Sequence, residues 1–481
     1  MKFNKKAIIC MIMILSMLLG GCGTSLGSSV KKVKLDPDNP TKVTIWHYYN
    51  GDQLEAFNKL IDEFNGSVGK KEGIYVEGSN FGTVNELKDS IGAAVKHRTG
   101  AEAIPNIFAG YADTVYEVDK LGYVVDLKEY LTQKEQDKYI KSYIEEGEFS
   151  GDGSLKIFPT AKSTEVFMLN KTDWNKFAEA TGADLNDLKT IEGVTKTAQA
   201  YYEWTDSQTK KKNDGKAFFG RDALANYFII GAKQLGTEIF SVKDGKVTLN
   251  FDKEIIRKIW DNYYVPFVKG YFAASGKFRS DDINTGNILS FVGSSAGATF
   301  FPDEVIVDDT RSYPIDMEVL EAPEFEGGED YAVQQGAGMA VTKTDEKQMY
   351  ASVQFLKWFT EDERNIQFSV ASGYLPVTKT ANDVKKIEET TDLTGDNELP
   401  IVKAAIDTVN HNTLYTTKAF EDGTDARNIL EYAMSDKASA DRKTVVKRLE
   451  KGESFDEAVK DFVNDSNFDT WYEATKAELE N

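Results

Sequence analysis

The sequence predicts an α/β protein of two compact lobes, and three observations carry that reading. Strand-like and helix-like runs alternate through the first part of the chain, the pattern of a parallel sheet covered by helices. A second alternation begins after Phe158. The 481 residues amount to roughly three domains' worth of material at ~150 residues each. No internal repeat of about 20–50 residues, coiled-coil heptad or long low-complexity block suggests a solenoid or a fibre.

Taken in order, Val43-Thr44-Ile45-Trp46 reads as a short buried strand, after which Leu54, Phe57, Leu60, Ile61 and Phe64 recur at helical spacing. Ile74 to Glu77 is a second strand. Leu87, Ile91, Ala94 and Val95 share one helical face, and Ile107-Phe108-Ala109 offers a third strand. Val166-Phe167-Met168-Leu169 opens the second unit, and helical periodicity follows through Trp204. Ala337 to Val341 reads as a buried strand. Met349, Val353, Leu356 and Phe359 then mark an amphipathic helix, and the chain is mostly helical beyond Ile401.

Composition narrows the function classes. With 78 acidic and 57 basic residues the formal charge is −21, which repels phosphate backbones and anionic lipid headgroups, so a nucleic-acid role is not expected. A 12% aromatic and 28% charged chain is that of an ordered globular protein rather than a disordered one. Both cysteines, Cys10 and Cys22, lie at the extreme N-terminus, so the body has no thiol for a disulfide, a nucleophile or a zinc site. His47, His97 and His411 are too dispersed for a histidine metal cluster. No metal and no cofactor are expected, although scattered carboxylates leave calcium open.

Lys2, Lys5 and Lys6 precede an apolar run from Ala7 to Leu19, the layout of a secretory signal; at 13 residues it is short of the ~20 that span a bilayer. The run ends in Leu19-Gly20-Gly21-Cys22, which resembles the lipobox of bacterial lipoproteins. That resemblance implies cleavage before Cys22, lipidation of its sulfur and anchoring of an extracytoplasmic body at the membrane surface. Residues 22–41 are rich in Gly, Ser, Lys, Asp and Pro and read as a flexible tether about 25 Å in mean reach.

Several motifs then occur in a telling order. Val43-Thr44-Ile45-Trp46-His47 and Glu63-Phe64-Asn65 precede Pro105-Asn106-Ile107-Phe108, with Tyr111 and Asp113 just after. Phe158-Pro159, Lys162-Ser163-Thr164-Glu165-Val166 and Leu169-Asn170-Lys171 follow, then Gln335-Gly336-Ala337-Gly338, Phe355-Leu356-Lys357-Trp358-Phe359 and Ser372-Gly373-Tyr374-Leu375-Pro376-Val377. In this order the chain resembles, over nearly its whole mature length, the solute-binding lipoproteins of bacterial ABC importers that bind sugars, oligosaccharides and glycerol phosphates. The resemblance implies a two-lobe periplasmic-binding-protein-like fold with a hinge between the lobes and a helical C-terminal segment. It also implies a monomer that traps a small molecule by lobe closure and delivers it to ABC permease subunits in the membrane. The expected division is a signal at 1–21, the tether at 22–41, one lobe from 42–160 plus 338–400, and the other from 161–337 plus 401–481. Crossings are expected near Phe158 to Lys162, near Gln334 to Gly338 and near Pro400.

A sugar offers apolar C–H faces and a rim of hydroxyls, so its site needs aromatic plates and a few placed polar groups. Trp46, Tyr48 and Tyr49 follow the first strand, where loops at strand ends open into a crevice; Trp46 is equally readable as core. Asp113 follows the third strand, as a hydroxyl acceptor or as a helix cap. Ser163, Thr164 and Glu165 lie beside the first crossing, and in the family the corresponding Ser-Thr pair commonly faces ligand; an ordinary strand edge is the alternative. Gly220 to Tyr227 resembles a family segment that often carries a stacking tryptophan, absent here, so that Arg221, Asp222, Asn226 and Tyr227 are the candidates left. Gln335 and Gly336 are expected near ligand at the second crossing, and Tyr374 is the favoured aromatic unless it is a turn residue packed on Pro376. Arg427 falls near a phosphate-holding arginine of the glycerol-phosphate binders, and Arg279 is a weaker candidate beside its aspartates.

The expected ligand is a neutral mono- or oligosaccharide, with glycerol 3-phosphate or a related phosphoester as the alternative. Rival classes are enzymes and a lipid-anchored adhesin that would use the same tether and aromatic surface without a cleft. Gly293-Ser294-Ser295-Ala296-Gly297 matches the Gly-x-Ser-x-Gly nucleophile elbow, with His411 as the only downstream histidine. That motif requires a helix straight after Ser295, which Phe300-Phe301-Pro302 disfavours. A glycosidase needs only two suitably spaced carboxylates, which composition leaves open.

Overall fold

The computed structural model describes residues 30–243, 245–391 and 398–481. The signal segment and Cys22 lie outside the described residues, as do residues 392–397; Pro400, near which the third crossing is expected, lies in the first turn of helix Glu398–His411. Two four-stranded sheets organise the chain. The first runs, in spatial order, Gly338–Val341, Ile107–Gly110, Thr41–His47, Ile74–Asn80. Its three N-terminal strands are mutually parallel, and Gly338–Val341 joins the edge antiparallel with Gly338 opposite Gly110. Helix Gly51–Gly66 lays Phe57, Leu60, Ile61 and Phe64 on this sheet. Helix Val84–Val95 begins at a capping box in which Thr83 and Glu86 satisfy each other's backbone N–H, which sets where the helix starts.

The second sheet runs Met317–Glu321, Glu165–Asn170, Ser290–Ser294, Phe219–Arg221. The parallel arrangement expected from the first part of the chain does not extend to this sheet, where two of the three pairings are antiparallel. Glu165–Asn170 enters this lobe from the crossing and runs outward, while Ser290–Ser294 returns, bringing Ser294 opposite Glu165. Every residue of Glu165–Asn170 is buried because both faces of the strand are covered. Phe167 and Leu169 join an aromatic core with Phe177, Phe218 and Trp260. Val166 and Met168 face a separate core with Phe291, Ile401 and Val402.

Helices Gly423–Glu450 and Asp465–Leu479 complete the aromatic core with Leu430, Met434, Phe468 and Trp471. Ile366, Leu375, Ala381 and Ile387, expected in the first lobe, pack into the Val166–Met168 side of the second. The described part of the expected tether also lies on protein: the Lys31 N–H donates to the Glu129 carbonyl at 2.8 Å, and Thr41 N–H to Gly73. At the crossing, Ser163 and Gln335 exchange backbone hydrogen bonds of 3.0 and 2.9 Å, and Lys162 pairs in the same way with Leu375. Gly336 takes φ +89°, and a Cβ there would come 3.0 Å from the Ala161 carbonyl, so this tight junction requires glycine.

Candidate functional site

A cavity of about 410 Å³ opens between the two lobes, within the ~300–1,000 Å³ typical of small-molecule sites. One wall comes from residues following the first lobe's strands and helices, including Asn85, Lys88, Tyr111, Asp113, Glu146 and Tyr374. The facing wall comes from Asn226, Phe240, Tyr415, Phe420, Arg427 and Asn428, with Ser163, Gln334 and Gln335 at the floor where the chain crosses. A larger groove of about 1210 Å³ lies along Val33 to Pro37 and helix Glu346–Phe359, but all its lining belongs to the first lobe, so lobe closure could not enclose a molecule there.

On the first wall, Tyr48 and Tyr374 place their hydroxyls 3.5 Å apart, a loose contact. The Tyr374 ring packs parallel to Phe368 and is held in place. Asp113 sits in the first turn of helix Ala112–Lys120, whose N-cap is Tyr111, so it is not the helix cap. Among the described residues no side chain or N–H donates to its carboxylate. Burial pushes that carboxyl up to about 6, against the opposing pull of Arg427 and Lys88. The opposite lobe approaches closely here: a Cβ on Gly423 would lie 2.9 Å from Asp113 Oδ1. Two further contacts tie the lobes together at this rim, Lys88 Nζ to Thr424 Oγ1 at 3.2 Å and Lys120 Nζ to Glu421 at 2.7 Å.

The second wall rests on a buried polar relay. Arg221 pairs with Glu165 Oε2, Asn226 Nδ2 donates to Glu165 Oε1 at 2.8 Å, and Arg427 donates to Asn226 Oδ1. Burial holds the Glu165 carboxyl above its ordinary range despite these partners. Helix Leu224–Gln234 starts from Ala223, a non-glycine residue at φ +50° that lines the cavity. Lacking a side-chain cap of its own, that helix takes one from Glu431, whose carboxylate accepts the N–H groups of Leu224 and Ala225 at 3.0 and 2.8 Å.

Of the residues singled out from sequence, Asp113, Ser163, Asn226, Gln335, Tyr374 and Arg427 line the cavity, and Tyr48 adjoins it through Tyr374. The others lie elsewhere. Trp46 is in the core against Phe81, ring centroids 4.1 Å apart. Tyr49 is likewise buried, edge-on to Phe57. Tyr227 is buried and donates its hydroxyl to the Ile259 carbonyl. Thr164 is spent on the Val333 carbonyl, Glu165 and Arg221 on each other, and Gly336 on the crossing. Asp222 accepts the Arg279 backbone N–H and faces its guanidinium, so both leave the cavity. Glu146, Lys88, Phe240, Tyr415 and Phe420 line it without having been singled out. Their only sequence signal is proximity to polar or aromatic neighbours, because the segments that supply them converge only in the fold.

The nucleophile elbow does not form. Ser295 is fully buried, donates to the Gly373 carbonyl at 3.1 Å and opens only the six-residue 3₁₀ turn Ser295–Phe300. His411 is exposed and sits 3.4 Å from Glu321. Among the described residues there is no group of three or more His, Cys, Asp or Glu placed to hold a metal ion, and no helix is long and apolar enough to cross a membrane.

Residues 59–395 match the model of a family described as bacterial extracellular solute-binding protein. No curated protein matches the chain. Among solved structures, the fold resembles the cyclic α-maltosyl-1,6-maltose binding protein of Arthrobacter globiformis, at 18% identity over 92% of this chain and 100% of that one, TM-score 0.66. UgpB of Mycobacterium tuberculosis in complex with glycerophosphocholine is similar at 18% identity, 92% and 99% coverage and TM-score 0.65. The maltose/maltodextrin-binding domain MalE of Bdellovibrio bacteriovorus bound to maltotriose follows at 14% identity, 92% and 100% coverage and TM-score 0.60.

Proposed function

Because the chain belongs to the bacterial extracellular solute-binding protein family, whose non-enzymatic members serve ABC importers, we propose that this member captures a neutral mono- or oligosaccharide in the interlobe cavity. The observation that carries the reading is the pairing, in one cavity, of tyrosine rings on one wall with amides, Arg427 and the unpartnered Asp113 carboxylate around it. Rings cover the C–H faces of a sugar, and the polar groups take its hydroxyls. The two lobes close on the ligand, shield those hydrogen bonds from water, and present the closed form to the permease. That two of the structural relatives are a cyclic α-maltosyl-1,6-maltose binding protein and a maltodextrin-binding domain bound to maltotriose supports the same choice. Lipidation at Cys22 would hold the body at the outer face of the cell membrane, near that permease.

A thermal-shift panel of sugars, polyols and glycerol phosphates on the chain from Thr24 onward tests this. A sugar at 100 times its dissociation constant should add about 2.7 kcal/mol of stability, with no turnover of the sugar. Micromolar binding of glycerol 3-phosphate or glycerophosphocholine, with every sugar inert, would replace the carbohydrate reading by the phosphoester one.

A further inference from the structure

The crossing between the lobes contains a buried charge that the binding reading leaves unused. Lys162 is fully buried, and its ammonium donates to Glu146 and, at 2.7 Å, to the Gly336 carbonyl. An unneutralised ammonium there would be costly, so Glu146 is its required partner. Gln334, on the second crossing segment, donates to the same Glu146 Oε2 at 2.6 Å and to the Ser142 carbonyl at 3.3 Å. One carboxylate oxygen therefore holds both crossing segments to the first lobe.

The other oxygen is idle. Glu146 lines the cavity and its side chain is only 6% exposed, yet its Oε1 accepts no hydrogen bond from any described residue. Gln334 also lines the cavity, and its Oε1 is buried with no partner. Glu146 Oε1, which is not enclosed, and the enclosed Gln334 Oε1 thus stand idle on the very groups that brace the crossing. A hydroxyl donor in the cavity would give Glu146 Oε1 a charge-assisted hydrogen bond in place of solvent.

We propose that Glu146 and Gln334 are the contact through which ligand occupancy is passed to the hinge. A hydroxyl of the ligand donates to Glu146 Oε1 and fixes the carboxylate plane, and Oε2 then holds Lys162 and Gln334, and with them both crossing segments, in the closed arrangement. The ligand identity in this statement rests on the carbohydrate reading, but the bracing of the hinge by Glu146 does not.

The test separates the two. The chain from Thr24 onward holds no cysteine, so Asp89→Cys on the first lobe and Asp436→Cys on the second accept a spin-label pair whose separation reports closure. Glu146→Gln should shift or broaden the ligand-free distance distribution and weaken binding of maltotriose, used as the probe, at least tenfold. Gln334→Leu, which leaves no buried charge uncompensated, should do the same to a smaller degree while the melting temperature stays near that of the parent. Unchanged ligand-free distances in both variants would overturn the hinge role whatever maltotriose does. A parent that binds maltotriose, with variants that match its affinity, would overturn the contact. A parent that binds no sugar would overturn the carbohydrate reading while the label distances still decide the hinge.

Discussion

On the first lobe's side of the cavity, Tyr111 and Tyr374 line the wall, with the Tyr374 hydroxyl only loosely held by Tyr48, and among the described residues none donates to the Asp113 carboxylate. On the second lobe's side, Asn226 and Arg427 are already committed to each other and, through Glu165, to Arg221. One wall is left unsatisfied and the other is locked in place from behind. The difference suggests a division of labour: the locked wall keeps its donors aimed without reorganisation, and the open wall gains most when a ligand arrives. It also means that mutations on the two walls should fail in different ways, one through stability and the other through affinity.

The largest effect should come from the locked wall. Glu165→Ala strands a buried Arg221 and should cost about 3–5 kcal/mol, read as a shift in the urea midpoint. Loss under 1 kcal/mol would show that the relay is not buried in solution. Tyr374→Phe on the open wall keeps the ring packed on Phe368 and should leave the urea midpoint far less changed, while loss of the hydroxyl weakens binding of the best sugar in the panel about tenfold by calorimetry. Comparable losses of stability in both variants would erase the contrast between the walls.

Asp113 sharpens the comparison through pH. Its carboxyl is raised by burial from 3.8 to about 6, so the folded protein holds that proton more tightly than the unfolded chain. The stability from this group is complete below pH 3.8 and is lost as pH rises through about 6. Asp113→Asn should therefore raise the melting temperature at pH 7 by the equivalent of ~1 kcal/mol, the full shift being discounted for partial exposure, and should flatten its decline between pH 4 and 7. In the parent, sugar binding should weaken below pH 6 as the acceptor is protonated; a pH-independent affinity would remove Asp113 from the contact. The smallest effect is expected at the strained entry to the second wall. Ala223→Gly relieves a left-handed residue and should stabilise by about 1 kcal/mol in a thermal melt, whereas a lower melting temperature would mean that the strain is not borne at Ala223.

Local patterns carried most of the architecture. Val43 to Trp46, Ile107 to Ala109 and Val166 to Leu169 are apolar runs too short for helices, and each is a strand. Leu87, Ile91, Ala94 and Val95 share a helical face and are buried together. Strand direction in the second sheet was not legible, since apolar pattern is the same whichever way a strand runs. The site was legible where a polar or aromatic residue follows a strand end, as at Asp113, or sits at a crossing, as at Ser163 and Gln335. It was misread at Trp46 and Tyr227, because an aromatic ring is equally suited to a core and to a sugar face.

The order of apolar runs, the glycine at Gly336 and the charge on the chain are properties of the sequence, and they suffice for two α/β lobes with a tight junction between them. Which acids and bases find each other is a different kind of fact. Glu146 meets Lys162 and Gln334, and Glu165 meets Arg221 and Asn226, over separations of 16 to 188 residues. Side-chain chemistry permits any of these charges to pair with many others, and only the packing of two sheets around a common crossing removes water from these particular ones and makes their pairing obligatory.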